Sequence, residues 1–308
     1  MYNGMLTVYK EAGYTSSDAV ARLRGILRMR KIGHTGTLDP DAEGVLPMCL
    51  GNATRICELI ADRDKEYLAV MRLGVRTDTQ DMSGTVLNRI EDEEVLRILP
   101  EQKIRETVAH FTGEIDQIPP MYSAVKINGK RLYDLARKGK TVERRARRIT
   151  IFSLDIEKID LPLVTMRVCC SKGTYIRTLC DDIGEALGTG AAMQSLLRTR
   201  VGRFTLEEAR TLDEIERIAK TEPEDALKAL IRPVDSFFED IPAAVCSQEA
   251  LRLLKNGNPL TDEDLKILSQ DEDPVLRVYD EAGIFYGLYR KEEQNGRYTA
   301  YKMFLPAR

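Results

Sequence analysis

Asp39 lies in a segment of unusual make-up, running from Lys31 to Pro47 and reading Lys-Ile-Gly-His-Thr-Gly-Thr-Leu-Asp-Pro-Asp-Ala-Glu-Gly-Val-Leu-Pro. It holds one of only two histidines among 308 residues and is too polar to be core. Gly33, Gly36 and Gly44 permit positive φ or close backbone approach, and Pro40 and Pro47 fix φ. A loop so built can be ordered without regular structure and can present Asp39 and His34 at fixed angles to a bound molecule. Asp-Pro alone more often marks a turn in which the aspartate bonds its own backbone. An ionised carboxylate held this way could act as a covalent nucleophile or as electrostatic support for an electron-poor centre. In a dry pocket it would tend to protonate, so a cation should stand beside it. Asp41 and Glu43 flank it, but nothing else supports a glycosidase-like pair.

Other chemistries are disfavoured. There is no G-x-x-x-x-G-K-[ST] loop, no G-x-G-x-x-G after a strand and no H-E-x-x-H. The six cysteines, Cys49, Cys57, Cys169, Cys170, Cys180 and Cys246, form no C-x-x-C pair, and most sit among Val, Leu and Ile as small hydrophobes. No metal and no cofactor is expected.

The elements that must position these residues follow from periodicity. Residues 6–9 read as a strand, and Thr15-Ser16-Ser17 offers N-caps for a helix with Ala19, Val20, Leu23 and Leu27 on one face. Residues 67–73 are apolar apart from Arg72, as in a central strand. Residues 93–98 and 104–111 read as amphipathic helices, with His110 structural. Pro119-Pro120, Asn128-Gly129 and Gly139 punctuate a basic arm at about 116–148. Strands are expected at 149–156 and 164–170, then a helix over 176–187 capped by Thr174 and ended by Gly188 and Gly190, with Asp181-Asp182 as first-turn acids. A second helix would carry Met193, Leu196 and Leu197. Acidic helices at 205–219 and 224–230 close at Arg232-Pro233. A helix at 248–255 and strands at 275–279, 284–289 and 298–304, the first two joined by a hairpin turn at 280–283, then read as a small β-barrel. The expected domains are 1–232 and 233–308.

Composition, at 43% apolar and 31% charged, fits a soluble globular protein. No apolar run approaches the ~20 residues of a membrane span, and the start lacks the features of a secretory signal, so a cytoplasmic location is expected. The net charge of −3 conceals a segregation. Residues 116–150 hold ten basic side chains against three acids, and residues 207–249 hold twelve acids against five bases. Such a distribution can orient an RNA, although a basic run is as often a solvated face.

The Lys31–Pro47 string, extended by Gly51-Asn-Ala-Thr-Arg55, resembles the signature of bacterial tRNA pseudouridine synthases of the TruB family. Further blocks match in the same order: Lys10 to Ser16, Lys65-Glu-Tyr67, Leu73-Gly74, Thr77-Asp-Thr-Gln-Asp81, Pro119-Pro-Met-Tyr-Ser-Ala-Val-Lys126 and Lys172-Gly-Thr-Tyr-Ile-Arg177. The resemblance is strong over residues 3 to 200. One departure is Glu11, where the family usually has proline.

The resemblance implies an α+β fold, a mixed, largely antiparallel sheet flanked by helices, with a small C-terminal PUA-like β-barrel. It implies isomerisation of uridine 55 in the tRNA T loop to pseudouridine, stand-alone and without cofactor or metal. Asp39 would be the essential carboxylate, acting on the base or at the sugar, and Arg177 its cation. Tyr175 would do acid-base chemistry. Tyr67 and Tyr175 would line the uracil pocket, Leu196 close it, and His34 fill the gap left by a flipped base. Lys126, Lys130, Arg131, Arg144, Arg145, Arg147 and Arg148 would bind the T-stem-loop. No protein partner would be required, and the chain would act as a monomer. The competing expectations are a non-catalytic RNA-binding or tRNA-folding module, which leaves the Asp39, Tyr67, Tyr175 and Arg177 set unexplained, and a guide-dependent synthase in a ribonucleoprotein, against which the basic arm argues.

Overall fold

Ten strands form one sheet: β1 (Gly4–Lys10), β2 (Ile32–His34), β3 (Glu43–Leu50), β4 (Lys65–Leu73), β5 (Gly113–Gln117), β6 (Arg147–Asp160), β7 (Leu163–Cys170), β8 (Ala191–Val201), β9 (Phe204–Thr205) and β10 (Ile231–Arg232). The computed structural model describes residues 2–92, 94–127, 129–268 and 273–305. Glu93 and Asn128, expected in a helix and a turn, lie outside them. The strand order is β10-β1-β3-β8-β4-β7-β6-β5, with β2 on β3 and β9 on β8. All pairs are antiparallel except β3 with β8, where Leu197 faces Glu43 and Arg198 faces Gly44. The expected mixed, largely antiparallel sheet is therefore present.

Period-two alternation sends side chains of one strand into different cores. In β3, Leu46, Met48 and Leu50 join Leu23 of helix α1 (Ser16–Leu27), while Val45 and Cys49 face the opposite cluster. That opposite cluster includes Phe237, Phe238, Leu288 and Phe304. It joins the large sheet to a second, five-stranded sheet near the C-terminus: β11 (Ala243–Cys246), β12 (Leu265–Ile267), β13 (Val275–Tyr279), β14 (Phe285–Lys291) and β15 (Tyr298–Met303). Helices α2 (Glu101–Ala109) and α3 (Ile176–Leu187) cover the other half of the large sheet through Ile104, Leu179 and Ile183, packed with Met166 and Met71. Helix α4 (Leu212–Thr221) packs beside α1.

Several local expectations are corrected. Residues 191–201 form strand β8 between β3 and β4, not a helix. Met193, Leu196 and Leu197 imitate helical spacing because two register shifts, at Met193/Ser195 and Arg198/Arg200, break the strand alternation. The expected helix at 205–219 starts only at Leu212, where Thr211 and Glu214 form a reciprocal capping box; Phe204–Thr205 instead pairs with β8. Thr174 does not cap α3. Its hydroxyl donates to Ser171 O at 2.9 Å, and Tyr175 occupies the cap position. Asp181 and Asp182 lie beyond the first turn. Asp181 is buried and accepts a two-point hydrogen bond from Arg76, at 2.9 and 3.1 Å, and another from Gln80. The helix expected at 93–98 spans Glu94–Arg97 and that at 248–255 spans Leu251–Lys255. Thr15 does cap α1, in a capping box with Asp18.

Gly44 lets β3 approach β8 closely. Its φ is +106°, and an added Cβ would stand 2.2 Å from Arg198 O. Gly44→Ala is expected to lower stability by more than ~1–3 kcal/mol, since strained φ and a backbone clash coincide. Urea unfolding measures this, and a wild-type midpoint would show that the two strands part freely.

Candidate active site

The loop between β2 and β3 is held at nearly every peptide. Thr35 N donates to Pro47 O at 3.2 Å, and Gly36 N donates to His34 Nδ1 at 3.3 Å. Buried Ser16 binds Leu38 twice: Leu38 N donates to Ser16 Oγ at 2.9 Å, and Ser16 Oγ donates to Leu38 O at 3.3 Å. Pro40 O accepts from Lys10 Nζ at 2.8 Å and from Gly13 N at 3.0 Å. Ala42 N donates to Asp39 O at 3.1 Å. The Lys10–Ser16 motif is thus the clamp of the Asp39 turn. The Glu11 departure is harmless to it, because Glu11 contributes its carbonyl, which accepts from Lys10 Nζ at 2.9 Å.

Asp39 and Arg177 meet across 138 residues. Arg177 Nε lies 2.9 Å from Asp39 Oδ2 and Nη2 donates to Oδ1 at 3.4 Å, a fork on a carboxylate. The Arg177 side chain is 6% exposed and that of Asp39 40%, so the cation is enclosed and the anion faces outward. The remaining donors are also used. Nη1 donates to Thr79 O at 3.1 Å, and Nη2 to Tyr122 O at 2.8 Å. Asp81 Oδ2 is 3.5 Å from Nη1, so two carboxylates share one guanidinium. Burial raises the Asp39 carboxyl above its ordinary range, Arg177 opposes this, and Asp81 adds to it.

Leu38 and Ile176, the chain neighbours of the pair, belong to one buried cluster with Tyr67 and Leu196. Tyr67 is buried, and burial pushes its phenol up to about 12. Tyr175 is partly exposed. Its backbone is clamped by the buried Gln117 side chain, whose Oε1 accepts from Tyr175 N at 2.8 Å and whose Nε2 donates to Tyr175 O at 3.1 Å. His34 is partly exposed on β2, and burial lowers its pKa. With Nδ1 accepting from Gly36, the proton of the neutral ring sits on Nε2.

The basic segment contributes at its base and along its length. Tyr122 O contacts Arg177. Lys126, Lys130 and Arg131 lie exposed on a two-stranded hairpin, and Arg145 and Arg147 are exposed. Arg144 donates to Pro119 O at 3.1 Å. Arg148 is paired with Asp116 and Glu114 at 2.9 and 3.1 Å, so its charge is largely answered within the protein. Residues 113–117 and 147–160 belong to the large sheet, which leaves 118–146 outside it.

Sequence reasoning missed Gln117, Asp81, Ser16, Lys10 and the buried Arg198 as parts of this site. Lys10, Ser16 and Asp81 stood inside quoted motifs without a role. Gln117 and Arg198 carried no local signal. His110 is exposed at the end of α2, where its Nδ1 lies 2.6 Å from Glu106 O. Among the described residues no cluster of His, Cys, Asp or Glu is placed to hold a metal ion.

With this geometry in view, the likeness to known proteins is extensive. The N-terminal domain model of TruB family pseudouridylate synthases matches residues 24–176, and that of the tRNA pseudouridylate synthase B C-terminal domain matches residues 177–239. The chain is 49% identical to the tRNA pseudouridine synthase B of Lachnoclostridium phytofermentans, over 98% of this chain and 100% of that one. It is 45% identical to the same-named protein of Clostridium tetani, over 95% and 96%. Among solved structures, one titled as an H/ACA RNP bound to a substrate RNA containing 2'-deoxyuridine superposes with a TM-score of 0.69 at 26% identity, covering 98% of this chain and 85% of that one.

The electrostatics of the pair predict opposite effects on pH dependence. If ionised Asp39 is the working form, the acid limb of kcat/KM lies above the ordinary carboxylate range. Arg177→Met removes the charge that lowers the Asp39 pKa and should move the limb to higher pH. Asp81→Asn removes a charge that raises it and should move the limb to lower pH. Shifts in the reverse directions would contradict the assignment.

Proposed function

The chain belongs to the TruB family of pseudouridylate synthases, and from that premise we propose that it isomerises uridine 55 in the T loop of tRNA to pseudouridine. It does so as a stand-alone, cofactor-free, cytoplasmic monomer. The observation that carries this reading is the Asp39 carboxylate, presented outward on a pinned loop and gripped from below by enclosed Arg177.

The reaction breaks the N1–C1′ bond and forms a C5–C1′ bond. The C5 proton is lost to solvent, and N1 ends protonated. No oxidation occurs and no group passes to a second molecule. A carboxylate fixed in position stabilises or traps the electron-deficient fragment, with no reorganisation needed at the moment of reaction. Tyr175 moves the proton. Tyr67 and Leu196 give the slot for the flipped uracil its apolar side, and His34 occupies the place the flipped nucleotide leaves. Flipping costs a few kcal/mol, and the basic segment 118–146 offsets it by gripping phosphates. The solved ribonucleoprotein relatives share the fold at lower identity than the tRNA synthases do, which favours tRNA without a guide.

An unmodified tRNA transcript labelled with tritium at uridine C5 should release tritium when incubated with this protein alone. Asp39→Asn should slow release by at least ~10³-fold while tRNA affinity stays within a few-fold. Substantial turnover by that variant would remove Asp39 from its role.

The pairing pattern of the arm separates its cations. Replacing Lys126, Lys130 and Arg131 with alanine should weaken tRNA binding and flatten its log–log salt dependence by about 0.7–0.9 per lost phosphate contact. Arg148→Ala should change the slope far less, because Asp116 and Glu114 already neutralise it. Equal slopes for wild type and the triple variant would make the hairpin an ordinary solvated surface.

A further inference from the structure

Arg198 is the largest fully enclosed side chain in the molecule among the described residues, at 1% exposure. Nε donates to Val45 O at 2.7 Å and Nη2 to Gly36 O at 3.4 Å. In the β8–β4 register it stands directly opposite Tyr67, so the two side chains are neighbours on one face of the sheet. No carboxylate among the described residues forms an ion pair with it. Two more buried cations, Lys10 and Lys65, are close enough to feel its charge.

A buried charge answered only by neutral oxygens is an expensive core residue. The effective penalty is still several kcal/mol per ion after relaxation, and an apolar side chain of similar volume is often the more stable choice. Stability therefore does not account for an arginine here, and the contacts suggest what does. A guanidinium only donates hydrogen bonds. Set beside a phenol oxygen it would occupy a lone pair and so turn the Tyr67 O–H away from Arg198. The same guanidinium reaches Gly36 O, three residues before Asp39, so Arg198 connects the strand of Tyr67 with the loop that carries the carboxylate.

We propose that Arg198 is a positioning residue for the isomerisation, fixing the Tyr67 hydroxyl as a hydrogen-bond donor to a carbonyl oxygen of the bound base and bracing the Asp39 loop at Gly36. The inference rests on the uridine reading above. It assigns Tyr67 a polar task in addition to the stacking the resemblance implies, with Arg198 setting its polarity. Leu196, two residues earlier on the same strand, belongs to the same buried cluster as Tyr67, so β8 supplies both an apolar side of the slot and the brace beneath it.

A double-mutant cycle with Tyr67→Phe tests this, using tritium release from labelled tRNA, tRNA affinity and urea unfolding. Arg198→Met should lower kcat by roughly 10²-fold, with tRNA affinity within about threefold and a urea midpoint equal to or above wild type. Arg198→Lys, which keeps a donor, should recover part of the loss. Y67F/R198M should be about as slow as the slower single variant, because both remove the same hydrogen bond. Fully additive losses, or activity and stability falling together in R198M, would reduce Arg198 to a structural brace and overturn the proposal. If R198M does not fold, Arg198→Gln replaces it in the same cycle. Wild-type release with an unimpaired R198M overturns this inference alone, whereas a wild type that releases no tritium overturns the uridine reading as well.

Discussion

The enclosed guanidinium of Arg177 is the constraint on which the site depends. A side chain so nearly excluded from water needs a partner for each donor, and the partners come from separate parts of the chain. Asp39 lies on the β2–β3 loop, Thr79 and Asp81 follow β4, and Tyr122 stands at the base of the basic segment. One cation therefore fixes three segments on helix α3. Such a pair adds little net stability, but removing one partner leaves an uncompensated charge at a cost of about 3–5 kcal/mol. Its value lies in geometry, because it sets the direction of a carboxylate that remains open to solvent.

The loop carrying that carboxylate is rigid without being helix or strand. Ser16, Lys10, Gly13, Pro47 and Arg198 between them satisfy its backbone groups. Three of these anchors belong to elements locked by core packing: Ser16 on α1 through Leu23, Pro47 on β3 through Leu46 and Arg198 on β8 through Leu196. Hydrophobic burial thus reaches the Asp39 carboxylate through a few hydrogen bonds. Preorganisation of this kind lets a single carboxylate act without waiting for its surroundings to reorient.

Charge is distributed to complement this arrangement. Cations whose charge is answered inside the protein, such as Arg148 and Arg76, hold elements in place. Exposed cations with no carboxylate partner among the described residues, such as Lys126 and Lys130, remain available to an anionic surface. The acidic α4 lies across the opposite end of the sheet order from β5 and the arm, so the overall net charge says little about what the arm can bind.

The chemistry-bearing loop, the strands 67–73 and 164–170 and the capped helix α1 were legible because their signals are local: glycine and proline spacing, apolar runs of strand length, a cluster of hydroxyl residues at a helix start. Strand β8 was misread because two bulges gave it the spacing of a helix, and only pairing with β3 and β4 decides between those readings. The false cap at Thr174 has a similar origin, since the Tyr175 N–H finds the amide of Gln117, 58 residues away. The family signature placed Asp39 and Arg177 in one site. No sequence pattern, however, could show that Arg177 is enclosed while Asp39 is open, that Asp81 shares the guanidinium, or that Arg198 lies buried opposite Tyr67. The sequence by itself determined which groups are present and which short elements carry them. Burial and hydrogen-bond partners are properties of segments brought together from far along the chain, so tertiary structure alone decided what each group can do.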